Sequence, residues 1–232
     1  MKTNVALDEF EQNPKIIHLN SFRLKSKPVY NFIKRFSDIF CSGLALILLS
    51  PVFLVISAFI KLSDGGEIFY AQERVGRHGK IISVYKFRSM KMNADSLENM
   101  LTPEEYEEYK KEYKLDNDPR VTKVGNILRK TSMDELPQLL SILKGDMSIV
   151  GPRPILQDEM EENYSDYQAY ILKSVRPGLT GYWQAYARNN VGYSNFERQK
   201  MELTYCRKRS LGFDIKIIFK TVQSVLARNG AK

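Results

Sequence analysis

The longest apolar stretch of the chain runs from Ile39 to Ile60, 22 residues without a charge, and Ser50-Pro51 sits at its centre. As a helix rising about 1.5 Å per residue, it is just long enough to cross a hydrocarbon core of about 30 Å. Pro51 lacks the N–H that would reach the Ile47 carbonyl, and its ring crowds that carbonyl. The Ser50 hydroxyl can serve backbone groups left unpaired by the break. Each arm, Ile39–Ser50 or Pro51–Ile60, is too short to span alone. Two topologies fit: a bent pair that dips into one leaflet and returns, or a single span with a proline kink. The residues alone favour the kinked span. Lys34 and Arg35 before the run and Lys61 after it give the positive-inside bias no direction.

Downstream, Asp64-Gly65-Gly66 marks a boundary. Residues 68–70 and 81–85 are β-prone and predict a hairpin across Gly76 and Gly79. Asp95 to Lys114 predicts a charged, solvated helix, with Thr102 as N-cap, Pro103 at the first position and Glu105 completing a capping box. A second helix is expected to start near Thr131–Glu135, turn Leu136, Leu139, Leu140 and Leu143 inward, and stop at Gly145. It accommodates Pro137 only in its first turn. Leu211, Ile215, Ile218, Phe219, Val222 and Leu226 recur at helical spacing, with Lys216, Lys220 and Arg228 on the polar side. That helix either lies on a membrane or packs into a core.

The chain has 232 residues and a net charge of +8, which implies an anionic partner: nucleic acid, lipid headgroups or a phosphorylated substrate. Between Glu11 and Asp38 lie six bases and no acid. This cluster at the edge of an apolar segment suits anionic phospholipid, at roughly 1 kcal/mol per base. Cys41 and Cys206 form no disulfide framework, and His18 and His78 give zinc no ligand set.

Candidate chemistry lies in short segments rich in Gly, Pro and Arg: residues 72–76, 86–90, 118–122, 129–136, 151–154 and 176–181. Prolines flank Arg153 and follow Arg176, fixing the backbone that aims each guanidinium, and a rigid guanidinium suits phosphate. Asp134-Glu135 has two readings. In one the pair caps a helix, with Ser132 and Glu135 as a capping box. In the other Asp134 is a nucleophile toward phosphorus and Glu135 helps hold Mg²⁺ with substrate phosphate oxygens. Acids among the arginines argue against a nucleic-acid groove.

Residues 129–138, RKTSMDELPQ, followed by residues 144–154, KGDMSIVGPRP, resemble the bacterial sugar transferases, the monotopic polyprenyl-phosphate phosphoglycosyl transferases. The resemblance covers about Tyr30 to the C-terminus. It implies an α+β fold, mainly α with a small β-hairpin, made of three parts. These are a variable basic segment (1–28), a re-entrant helix broken at Ser50-Pro51 (29–64) and a cytosolic catalytic domain with interfacial amphipathic helices (65–232). It implies Asp134 as nucleophile, with Glu135 assisting at Mg²⁺. Arg129, Arg153, Lys86 and Arg88, together with Arg120 and Arg176 of the loop segments, are expected to hold phosphate or nucleotide. Glu202 stands where the family has an Asp before a Tyr. The implied substrates are a UDP-sugar, UDP-galactose or UDP-glucose, and polyprenyl phosphate, at the cytosolic face of a bacterial inner membrane. The segment Tyr182–Ser194, with Trp183, Gln184, Arg188, Asn189 and Asn190, either touches the sugar or belongs to the core. A homo-oligomer stays open. The rival from another class is a non-catalytic basic adaptor at the membrane.

Overall fold

The computed structural model describes residues 24, 26–94, 96–112, 115, 118–187 and 196–226. The apolar run forms α1 (Pro28–Leu48) and α2 (Ser50–Asp64), which meet at Leu49 with a bend of 62°. The Ser50 hydroxyl donates to the Ile47 carbonyl at 2.8 Å, the acceptor that Pro51 cannot reach. Gly65, at φ 73°, ends α2 in the left-handed conformation that glycine adopts without strain. Among the described residues no single helix is long and apolar enough to cross a membrane; only the bent pair is, taken together. Most of the basic tail expected over residues 1–28 lies outside the described residues.

α1 turns its polar side inward. Phe32, Phe36, Phe40, Ile47 and Leu48 are exposed, while Asp38 and Ser42 are buried. Tyr30, Lys34, Asp38 and Ser42 follow one another at i, i+4 and so share a face. Lys34 Nζ and Tyr30 Oη both donate to Asp214 Oδ2, at 2.8 and 2.9 Å. The Ile149 N–H donates to Asp38 Oδ1 at 3.0 Å. Arg35 donates to the carbonyls of Ile142 and Leu143, at 2.6 and 2.9 Å, in the last turn of a later helix. The inner faces of both arms also enter the cores of the body. Ala45, Leu46 and Leu49 pack on Ile82, Val84, Leu139, Ile142 and Met147, and Ile56 and Ile60 pack with Phe87 and Leu128.

The hairpin forms as β1 (Phe69–Val75) and β2 (Ile81–Phe87), longer than expected, antiparallel, with Tyr70 opposite Lys86 and Arg74 opposite Ile82. Period-two alternation puts Arg74 and Lys86 on one face. The single helix expected over 95–114 is instead α3 (Leu97–Met100) and α4 (Pro103–Glu112), because Pro103 disfavours helical backbone at Thr102. The capping box at α4 is present: the Glu105 N–H donates to Thr102 Oγ1 and the Thr102 N–H to Glu105 Oε2, at 3.3 and 2.8 Å. An unanticipated α5 (Lys123–Lys130) follows, capped by Thr122, whose hydroxyl accepts from the Gly125 N–H at 2.9 Å.

The helix expected from Thr131 begins only as α6 (Gln138–Lys144), after a separate 3-10 turn at Met133–Glu135. Then come β3 (Ser148–Val150), α7 (Gln157–Asn163), α8 (Asp166–Lys173), β4 (Gly178–Thr180), α9 (Tyr182–Tyr186), α10 (Glu197–Lys208) and α11 (Leu211–Leu226). β3 and β4 form a second, parallel two-stranded sheet that the sequence did not announce. Their loops touch backbone to backbone: a Cβ on Gly178 would lie 2.0 Å from the Gly151 nitrogen. In α11 the stripe Leu211, Ile215, Ile218, Phe219 and Val222 is exposed, so it does not pack into a core. Asp214 and Ile217 point inward instead, and the Thr221 hydroxyl reaches the Thr180 hydroxyl at 2.7 Å.

Under the β3–α7 loop lies a buried ionic layer. Glu159 accepts from Arg74 at 3.3 Å and Arg198 at 2.9 Å. Glu202, fully buried, accepts the Arg153 N–H at 3.1 Å. Burial pushes the Glu202 carboxyl up to about 7, against the lowering influence of Arg198 and Arg153.

Two outcomes follow. Asp38→Ala strands the partly buried Ile149 N–H, so the purified protein in detergent should lose about 1–2 kcal/mol and melt a few degrees lower. Ile47→Ala, on the exposed side, should melt like the parent. Glu202 binds its proton more tightly folded than unfolded, so stability should fall as pH rises from the ordinary carboxylate range to about 7. That loss is about 3 kcal/mol at most. Denaturant midpoints across this window should show the slope, and Glu202→Gln should flatten it.

Candidate active site

Asp134 and Glu135 sit on a single tight turn between α5 and α6. Pro137 has no N–H to give the Met133 carbonyl, so the chain closes with i to i−3 bonds: Leu136 to Met133, Leu139 to Leu136 and Leu140 to Pro137. Ser132 enters the turn at φ 55° and its side chain makes no cap bond. The capping-box reading of Ser132 and Glu135 therefore fails. The dyad is held by backbone geometry, leaving Asp134 7% exposed and Glu135 reachable.

Three elements bring cations to this turn. β2 delivers Lys86, whose ammonium lies 3.6 Å from Glu135 Oε1. Burial lowers the Lys86 pKa, and the charges of Glu135 and Asp134 oppose that fall. The last turn of α5 delivers Arg129, held by a 3.0 Å bond from its Nε to the Ser89 hydroxyl. Burial lowers its pKa too, opposed first by Asp134 and then by Asp118. The loop after β3 delivers Arg153, close enough for its charge to act on Lys86 and Arg74. Its guanidinium lies 5.7 Å from the centre of the Trp183 ring, whose partner Arg198 lies at 4.3 Å. Burial drives the Arg74 pKa down to about 10. Arg74 is spent on structure, donating to Gln72 at 2.6 Å and to Glu159 and the Pro154 carbonyl at 3.3 Å, beneath the Arg153 loop.

Asp134, Glu135, Lys86, Arg129 and Arg153 thus form one cluster. Three other predicted phosphate ligands are engaged elsewhere. Arg88 clasps the Asp64 carboxylate with two nitrogens and gives its Nε to the Glu67 carbonyl at 2.6 Å, fastening the end of α2 to β2. Arg120 is paired with Asp118 at 2.6 and 2.8 Å, behind Arg129. Arg176 donates to the Gly145 carbonyl at 2.9 Å and lines a different cavity. Trp183 is buried under Arg153, which fits the core alternative for this residue, whereas Arg188, Asn189 and Asn190 lie outside the described residues. Sequence reasoning missed Glu159, Arg198 and Asp38; only Asp38 carried a signal, as one member of an i, i+4 polar stripe.

Among the described residues no group of three or more His, Cys, Asp or Glu side chains is placed to hold a metal ion. Two adjacent carboxylates, one partly exposed, are the donor set Mg²⁺ uses when phosphate oxygens and water complete its shell. The residues fit such an ion bound together with substrate.

The bacterial sugar transferase family profile matches residues 29–228. The exopolysaccharide production protein ExoY of Rhizobium meliloti (strain 1021) is 45% identical over 208 residues, which cover 88% of this chain and 90% of that protein. The undecaprenyl-phosphate galactose phosphotransferase of Salmonella typhimurium (strain LT2) is 48% identical over 204 residues, 86% of this chain and 42% of that one. The UDP-glucose:undecaprenyl-phosphate glucose-1-phosphate transferase of Escherichia coli (strain K12) is 42% identical over 199 residues, 84% and 40% respectively. The chain therefore spans nine tenths of ExoY but about two fifths of the other two. Since the match takes in the broken helix, the Asp134 turn and every cation gathered around it, the chain belongs to the bacterial sugar transferase family and is a transferase.

Proposed function

We propose that the protein transfers a sugar 1-phosphate from a UDP-sugar to polyprenyl phosphate and releases UMP. The observation that carries this reading is Asp134 itself: a nearly buried carboxylate on a tight 3-10 turn, close enough to Lys86 and Arg129 for its charge to act on both. An Asp134 oxygen attacks the sugar-bearing phosphorus. The bond from that phosphorus to the bridging oxygen breaks, and UMP leaves with the electron pair. An oxygen of polyprenyl phosphate then attacks the same phosphorus, displaces the carboxylate and yields the polyprenyl diphosphate sugar. Lys86, Arg129 and Arg153 orient the diphosphate and stabilise the charge that builds on its oxygens, the main demand of phosphoryl transfer. Asp134 and Glu135 would hold Mg²⁺, which would neutralise phosphate charge.

The lipid substrate calls for a membrane setting. Exposed apolar faces on α1, α2 and α11 support a monotopic arrangement, with the bent pair entering and leaving the cytosolic leaflet of a bacterial inner membrane. The basic tail would meet anionic phospholipid. UDP-galactose and UDP-glucose are the proposed donors, after the relatives named for those sugars. Membership in a transferase family leaves the non-catalytic adaptor without support.

Incubated with UDP-sugar labelled in the sugar and no lipid acceptor, acid-quenched protein should retain label, and Asp134→Asn should retain none. Equal labelling of that variant would remove Asp134 from the role. Lys86→Gln should lower kcat about 100-fold, the usual effect of losing one group that stabilises developing charge. Steady-state release of UMP measures it.

A further inference from the structure

A cavity of about 50 Å³, several times what one water needs, lies between the N-terminal half of α1 and the body. Its walls include Lys34, Arg35, Arg77, Arg176 and Arg209, against one carboxylate, Asp38. None of these belongs to the Asp134 cluster. Lys34 is neutralised by Asp214, and Asp38 is engaged by the Ile149 N–H. Positive charge is in excess where Arg176 faces Arg77 and Arg35, with Asp38 and Asp146 offsetting it only in part. Burial lowers the Arg176 pKa, and the charges of Arg77 and Arg35 lower it further, outweighing Asp38 and Asp146.

Two polar atoms in these walls are buried without a partner: Arg77 Nε and the hydroxyl of Ser148, a residue 1% exposed. Stranding two donors beside several cations costs stability unless an acceptor completes them. The missing acceptor must carry negative charge and several oxygens. Tyr30, Asn31, Lys34, Arg35 and Asp38 of α1, just ahead of the apolar run, line the cavity, so in the membrane arrangement proposed above it would lie near lipid headgroups.

We propose that this cavity is a phosphate-binding site separate from the Asp134 cluster, taking a phosphate mono- or diester that Arg77, Arg176 and Ser148 hold. The ester comes from a lipid headgroup or from a soluble phosphate, which share this chemistry. The inference does not rest on the reaction proposed above.

The test is thermal melting of the full chain in maltoside micelles. Inorganic phosphate, titrated against chloride at matched ionic strength, should raise the melting temperature by about 5 °C near a hundredfold excess over Kd. Arg77→Gln and Ser148→Ala should each lose most of that rise, while Asp134→Asn keeps it. Dihexanoylphosphatidylglycerol acting at lower concentration than inorganic phosphate, with a neutral glycolipid inert, assigns the site to a lipid headgroup. The reverse order assigns it to a soluble phosphate. No rise with either probe overturns the proposal, as does a rise that survives in both variants. A rise lost in Asp134→Asn alone also overturns it, by placing the anion at the catalytic cluster.

Discussion

A helix that shows most of its apolar side outward must dock largely through its polar side. α1 and α11 both meet this constraint, and the rest of the molecule is built on how they meet it. Asp38 accepts from the backbone of β3, Arg35 from its side closes the last turn of α6, and Asp214 ties α11 to Tyr30 and Lys34. These bonds are directional, so they fix the rotation and depth of α1 in a way that apolar packing alone would not. The strand that Asp38 grips runs on into the Arg153 loop, and the helix that Arg35 closes begins just after the Asp134 turn. Two polar side chains of α1 thereby hold it to the strand that leads into the Arg153 loop and to the helix that follows the Asp134 turn.

The opposite end of the bent pair is fastened by different means to the same effect. Asp64, at the last position of α2, takes the Arg88 guanidinium, and Ile56 and Ile60 pack with Phe87. Lys86 stands two residues before Arg88 and delivers the ammonium next to Glu135. The hairpin therefore joins the bent pair to the Asp134 cluster through one strand, while α1 joins it through another. A shift of either arm would move a cation of the site.

What could be read in the sequence was local. The Ser50-Pro51 break, the capping box at Thr102 and the hairpin around Gly76 and Gly79 each depend on residues a few positions apart. The Asp134-Glu135 pair was visible with two readings, and the resemblance chose between them. The arginines were recognisable as anchors, yet their partners were not: Arg88 finds Asp64 and Arg176 finds Gly145 across long sequence separations that no local pattern encodes. The parallel pairing of β3 with β4 was equally hidden, because three-residue strands carry no periodicity; the close approach of Gly151 and Gly178 shows only in the fold. The stripe on α11 was legible as amphipathic, but periodicity cannot tell which of two faces meets the protein. Asp214 and Thr221 on the inward side decide it.

The turn at Asp134 shows why the capping pattern misled. A Ser-x-x-Glu sequence ahead of an apolar run is a sound signal when an α-helix starts there. Here Pro137 removes the donor that would close the first α-turn, and the backbone takes the tighter 3-10 path, with Ser132 in a left-handed conformation. A capping carboxylate has its oxygens occupied by backbone N–H groups of its own helix. In this turn the Ser132 side chain makes no cap bond, and the Glu135 oxygen closest to a cation faces Lys86 on another element. Proline thus does at residue 137 what it does at residue 51. It denies the helix one hydrogen bond, and the backbone takes another path: a bend between two short arms in one case, a 3-10 turn that carries Asp134 and Glu135 in the other.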